Sequence, residues 1–148
     1  DIKVEVLNPI GGIEIPNDEY SNSNKVNEQS VVLKITYGNN TFLFCGDIQM
    51  DTEKRLIEKY GDKINVDVIK VPHHGYSTSS TKEFIEAVSP SIALVSQSSM
   101  PDMNVLQKYQ NAKSKVYFGG MDGNILATSD GKNINIITEK DRTGPLKP

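Results

Sequence analysis

Cysteine is nearly absent from this chain of 148 residues. Cys45 stands alone, so neither an intrachain disulfide nor a cysteine-built zinc site can form. A domain without disulfides tolerates either redox compartment, which leaves cytoplasmic and extracytoplasmic placement both open. Histidine is as scarce, with 2 residues, His73 and His74, side by side. No apolar run approaches the roughly 20 residues that a membrane span needs. No Gly-x-Ser-x-Gly elbow and no repeat of fixed period is present. The chain opens Asp1-Ile2-Lys3 with neither Met nor a signal-peptide core, which sets the expectation of a piece of something longer.

What is present suits one globular domain over residues 1–148, with 36% hydrophobic and 24% charged residues. A net charge of -3 argues against a simple nucleic-acid clamp that holds phosphate by basic charge alone. It leaves room for an enzyme that handles phosphate through metal ions.

Residues 2–7 alternate apolar and charged side chains and read as a strand closed by Asn8-Pro9. Residues 9–29 turn to Gly, Asn, Ser, Asp and Glu and read as a long exposed loop, whose Asn22, Asn24 and Asn27 can reach a substrate or simply be loop polarity. Residues 30–37 and 41–45 form a hairpin about Gly38-Asn39-Asn40, and the second strand ends at Gly46-Asp47. Residues 52–60 then read as a short amphipathic helix and 66–71 as a strand stopped by Pro72. A helix to about Val88 can be capped by Ser79, Ser80 or Thr81, with Glu83 completing a capping box if Ser80 is the cap. Residues 91–96 are a strand, 104–109 a helix, and 116–118, 125–128 and 134–138 strands; residues 142–148 read as a flexible tail. The order is α/β, with helical crossovers in the middle and an antiparallel pair at each end.

Ligand sites of open α/β sheets gather at the carboxyl ends of strands. Asp47 ends one strand and His73-His74 the next, so the two loops share an edge if those strands are neighbours. Aspartate and histidine are the oxygen and nitrogen donors that zinc, manganese or iron accept. Each feature also has a plain reading. A Gly-Asp after an apolar strand commonly caps a turn, and a histidine pair can be a solvated loop. Cys45, in an apolar strand, reads as packing rather than as a nucleophile. Lys54, Arg55, Lys59 and Lys63 read as a solvated helix face.

The segments Asn27-x-x-Ser30-Val31-Val32-Leu33-Lys34-Ile35, Phe42-Leu43-Phe44-Cys45-Gly46-Asp47 and Asp67-Val68-Ile69-Lys70-Val71-Pro72-His73-His74-Gly75-x-x-Thr78-Ser79 carry a resemblance, extended by Pro90–Ser96 and Asp122-Gly123-Asn124-Ile125. Together, from about Val4 to Ile137, they resemble the metallo-β-lactamase superfamily, and within it the hydrolase domain of ComEC-type competence proteins. The resemblance implies an αββα sandwich of which this chain supplies mainly the C-terminal half. It implies a divalent metal, zinc with manganese as the alternative, held by Asp47, His74 and His73. It gives His73 and His74 catalytic tasks without deciding which takes which, and places Ser77 and Ser79 near the substrate. The implied activity is hydrolysis of phosphodiester bonds, by a nuclease or phosphodiesterase, in competence and DNA uptake.

The His-x-His-x-Asp-His motif of that superfamily is absent, and Gln97–Asp102 lacks the Asn and His that many relatives place there. The N-terminal half of the same domain is therefore the expected partner, beside a phosphate-containing substrate such as DNA. Alone, the chain is expected to be inactive. The competing readings are a binding or assembly module that keeps the fold without metal, and a serine nucleophile among Ser77, Ser79 and Ser80 with His74 as base.

Overall fold

Period-two alternation and turn chemistry build the first edge of the molecule. In the computed structural model, which describes residues 1–12, 23–99 and 102–142, strand β1 (Ile2–Asn8) runs antiparallel to β2 (Val32–Tyr37). Strand β2 turns through Gly38 into β3 (Asn40–Phe44). Helix α1 (Ser23–Asn27) lies between β1 and β2. After β3 the chain alternates: α2 (Met50–Tyr60), β4 (Val68–Lys70), α3 (Lys82–Val88), β5 (Ile92–Val95), α4 (Met103–Asn111) and β6 (Lys115–Phe118). A short helix α5 (Gly119–Asp122) leads to the hairpin of β7 (Ile125–Ser129) and β8 (Ile134–Thr138). Turns of 3₁₀ type occupy Gly61–Ile64 and Pro72–Gly75. No helix among the described residues is long and apolar enough to cross a membrane.

The main sheet has the order β1-β2-β3-β4-β5-β6, parallel from β3 to β6. The crossovers between the parallel strands carry α2, α3 and α4, with α2 against α3 and α3 against α4. Leu43, Ile69, Ala93 and Val116 lie in register across one face of the sheet, and all are buried. Phe84, Val88, Leu56 and Tyr109 from the helices close over them in one hydrophobic cluster. The other face is unevenly covered. Val68 is 2% exposed there, whereas Ile2, Val4 and Val6 on β1 are 56–65% exposed. The hairpin tip docks far from its base, with Asn39 N–H donating to the Gly131 carbonyl at 2.7 Å and the Asn40 amide to Ser129 Oγ at 2.8 Å.

The α/β class and the antiparallel pair at each end agree with the sequence reading. One helical layer is present among the described residues, so the coarser α/β description is what the coordinates carry. Residues 9–29 are not simply an exposed loop. Asn8 reaches the carbonyls of Glu28 and Ser30, and the Glu28 carboxylate accepts N–H groups of Gln49, Asp51 and Thr52 at the start of α2. Residues 13–22, including Asn22, lie outside the described residues, as do the side chain of Asn24 and residues 143–148 of the expected tail. Arg142, placed in that tail, is instead anchored by a buried pairing with Asp122. The capping box also fails. Thr81 is the N-cap of α3 and accepts from Phe84 N–H, while the Ser80 N–H is held by Glu53.

Candidate functional site

Because β3 and β4 are parallel neighbours, the loops at their carboxyl ends meet at one edge of the sheet. Gly46, with φ +56, turns the chain out of β3 and presents Asp47. A β-carbon at Gly46 would stand 2.7 Å from Ser30 Cβ, so the loop passes where only glycine fits. On the other side, Pro72 stops β4 and the backbone enters the left-handed region at both His73 (φ 46) and His74 (φ 54). Such residues persist only where the surroundings hold them. Here the His73 N–H donates to the Gly46 carbonyl at 3.0 Å and Ser79 Oγ donates to the carbonyls of Pro72 and Tyr76.

The two imidazoles take different places. His74 Nδ1 lies 2.6 Å from the Ser96 carbonyl at the end of β5. A carbonyl only accepts, so Nδ1 carries a hydrogen, and in the neutral ring the lone pair sits on Nε2. That Nε2 faces Asp47 Oδ1 at 3.4 Å, with both side chains about two-fifths exposed. In the neutral ring that lone pair and the carboxylate oxygen can share a cation, whereas a protonated ring pairs with Asp47 directly. Two donors bound to one tetrahedral zinc at roughly 2.05 Å stand about 3.3 Å apart, so the spacing suits two ligands of one ion. His73 lies elsewhere, with Nδ1 2.8 Å from Thr78 Oγ1, Nε2 3.5 Å from the Asn27 amide nitrogen and its ring tilted against Tyr76. The geometry brings Asp47 to His74, and occupies both His73 nitrogens with neighbours. Among the described residues, no group of three or more His, Cys, Asp and Glu side chains could hold a metal.

The serines divide as well. Ser79 is 1% exposed, and its hydroxyl donates to the carbonyls of Pro72 and Tyr76, tying the loop to itself. Ser77 is exposed on the same loop. Neither it, Ser79 nor Ser80 approaches the His74 ring nitrogens, which removes the serine-nucleophile arrangement. Cys45 is fully buried, and burial pushes its thiol far up, as suits packing.

Two residues escaped the sequence reading. Glu53 of α2 is fully buried, and its carboxylate accepts the N–H of Ser80 at 2.5 Å and of Thr81 at 2.9 Å. Burial pushes its carboxyl above the usual range, against the pull of those hydrogen bonds. It fixes the loop that returns from the Pro72–Gly75 turn. The signal was its spacing, three residues before Leu56 and seven before Tyr60, on the stripe that faces the core. Lys70, the last residue of β4, places Nζ 3.4 Å from the Gly46 carbonyl. Burial lowers its pKa, while the nearby Asp47 charge raises it. A lone lysine in an apolar strand two residues before Pro72 was the clue.

No family model matches the chain. It is 33% identical over 93 residues to the Escherichia coli K12 protein YcaI, covering 60% of this chain and 12% of that protein. It is 39% identical over 70 residues to competence protein ComA of Neisseria gonorrhoeae, covering 47% and 10%. Over 130 residues it is 28% identical to ComE operon protein 3 of Bacillus subtilis, covering 84% and 16%. The chain thus spans about a tenth to a sixth of the length of these relatives.

Proposed function

We propose that this chain carries the Asp47–His74 part of a divalent-metal hydrolase site of the metallo-β-lactamase type, acting on phosphodiester bonds in competence-linked DNA uptake. The observation that supports it most is the pair itself: a carboxylate oxygen and an imidazole Nε2 3.4 Å apart at the carboxyl edge of a parallel sheet. Similarity to two competence proteins supports the biological setting. Two donors make a weak site, and the remaining ligands are assigned to the N-terminal half of the same domain.

When bound, zinc or manganese supplies a Lewis acid and a water of lowered pKa. The chain's own residues do the rest. The Ser96 carbonyl locks the His74 ring so that Nε2 faces inward. Asp47 contributes negative charge that holds the cation, and the Gly46 turn fixes its position. Thr78 and Asn27 engage the two ring nitrogens of His73 and fix its orientation. A non-catalytic binding module is the second reading, favoured by the convergence of two donors rather than three among the described residues.

The test is hydrolysis of bis(p-nitrophenyl) phosphate by the polypeptide of the complete reading frame, with zinc or manganese. Activity should vanish with chelator and in Asp47→Ala and His74→Ala, and be near zero in the 148-residue chain alone. Undiminished hydrolysis in both variants would refute the proposal. Stable metal-free binding of DNA without turnover would favour the module.

A further inference from the structure

Most lysines whose ammonium contacts are defined have a local task. Lys34 Nζ donates to the carbonyls of Lys63 and Asn65, and Lys108 Nζ to that of Ser80. Lys3, Lys54 and Lys82 pair with Glu5, Glu58 and Glu86, and Lys59 lies over the Tyr60 ring. Lys70 differs. It sits in the middle of the sheet, in register with Phe44 and Leu94, on the face opposite the helices. Among the described residues its ammonium makes one hydrogen bond, the long contact to the Gly46 carbonyl, which also accepts the His73 N–H. No carboxylate oxygen of the described residues comes within ion-pair distance of it, although Asp47 follows Gly46 directly. An ammonium has three hydrogens to donate, and a partly buried one is costly unless they are used.

We propose that Lys70 is the anion-binding group of this site, its ammonium taking a non-bridging oxygen of a phosphate held against Asp47 and His74. The inference rests on the phosphodiester reading above and adds the residue that recognises the substrate's charge. Lys70 projects from the strand that delivers His73 and His74, and its Nζ lies beside the residue that delivers Asp47. The donors for a cation and the donor for an anion therefore share one edge. This gives an acidic chain a local positive group where an anionic substrate must settle. A charge-assisted hydrogen bond there accounts for about tenfold in affinity. Burial of the lysine, which disfavours its charged form when the site is empty, is offset once an anion is bound.

The test is a titration of the 148-residue chain with inorganic phosphate, followed by amide NMR at Gly46 and Asp47, with a parallel zinc titration. Wild type should saturate, Lys70→Met should bind about tenfold more weakly, and Lys70→Arg should stay within about threefold of wild type. Unchanged spectra away from the site confirm that each variant is folded. Equal phosphate affinity in wild type and Lys70→Met, or no phosphate response in wild type, overturns the assignment. The zinc arm separates the two ideas. Phosphate binding through Lys70 without any zinc response at His74 supports the anion site and removes the hydrolase reading. Zinc binding retained with phosphate binding insensitive to residue 70 removes the Lys70 assignment alone.

Discussion

Replacing Glu53 by alanine probes how the loop carrying the histidines is held. The carboxylate, fully buried, is the acceptor for two backbone N–H groups, those of Ser80 and Thr81. Each donor left buried without a partner costs about 1–3 kcal/mol. Part of that loss is returned, because burial already disfavours the ionised carboxylate at neutral pH. The expected net loss for Glu53→Ala is about 2–4 kcal/mol, a large share of the about 5–15 kcal/mol typical of a domain. Glu53→Gln keeps one acceptor but turns an NH₂ toward the other N–H, so it should fall between. The sign with pH follows from the raised folded-state pKa. Wild-type stability gains as pH drops through that value toward the ordinary carboxylate range, and Glu53→Ala lacks the gain. The gap between them should widen on acidification from pH 7 to 5. Urea unfolding at both pH values measures it. A gap below about 0.5 kcal/mol at neutral pH, or one that narrows with acid, would refute the account of this loop.

Gly46→Ala adds a left-handed alanine and a β-carbon pressed against Ser30, and should cost about 2–4 kcal/mol by urea melts; a neutral result contradicts the tight passage. Asp122→Ala removes the carboxylate paired with the buried Arg142 guanidinium and should cost about 3–5 kcal/mol, whereas a loss under about 1 kcal/mol would show that the pair is not held in solution. Asp130 is held at about 2, below its ordinary 3.8, first by the Asn133 backbone N–H. Its stabilisation is present above 3.8 and lost as pH falls through about 2, so the melting difference from Asp130→Asn should disappear there.

Local chemistry carried much of this fold into the sequence. The apolar run ending at Gly46-Asp47 and the one ending at Pro72 marked two neighbouring strand ends, because Gly and Pro punctuate strands sharply. What stayed hidden depends on distant partners. The division of labour between His73 and His74 is set by the Ser96 carbonyl from β5 and by Asn27 from α1. Helix α1, five residues long, is too short to stand on its own, and the contacts of Asn8 and Glu28 bracket it. Glu53 reads as surface by residue type and as core by spacing, and the spacing was the better guide. The docking of the β7–β8 tip on Asn39 and Asn40 joins positions about 90 residues apart, which no local pattern records.

The most direct measurement is a zinc titration of the chain with ¹⁵N-labelled imidazoles. His74 Nε2 should shift with a Kd of about 0.1–1 mM while His73 Nε2 stays in place, and Asp47→Ala should abolish the response. An unmoved His74 at saturating zinc, or a response that survives Asp47→Ala, would contradict a cation shared by Asp47 and His74.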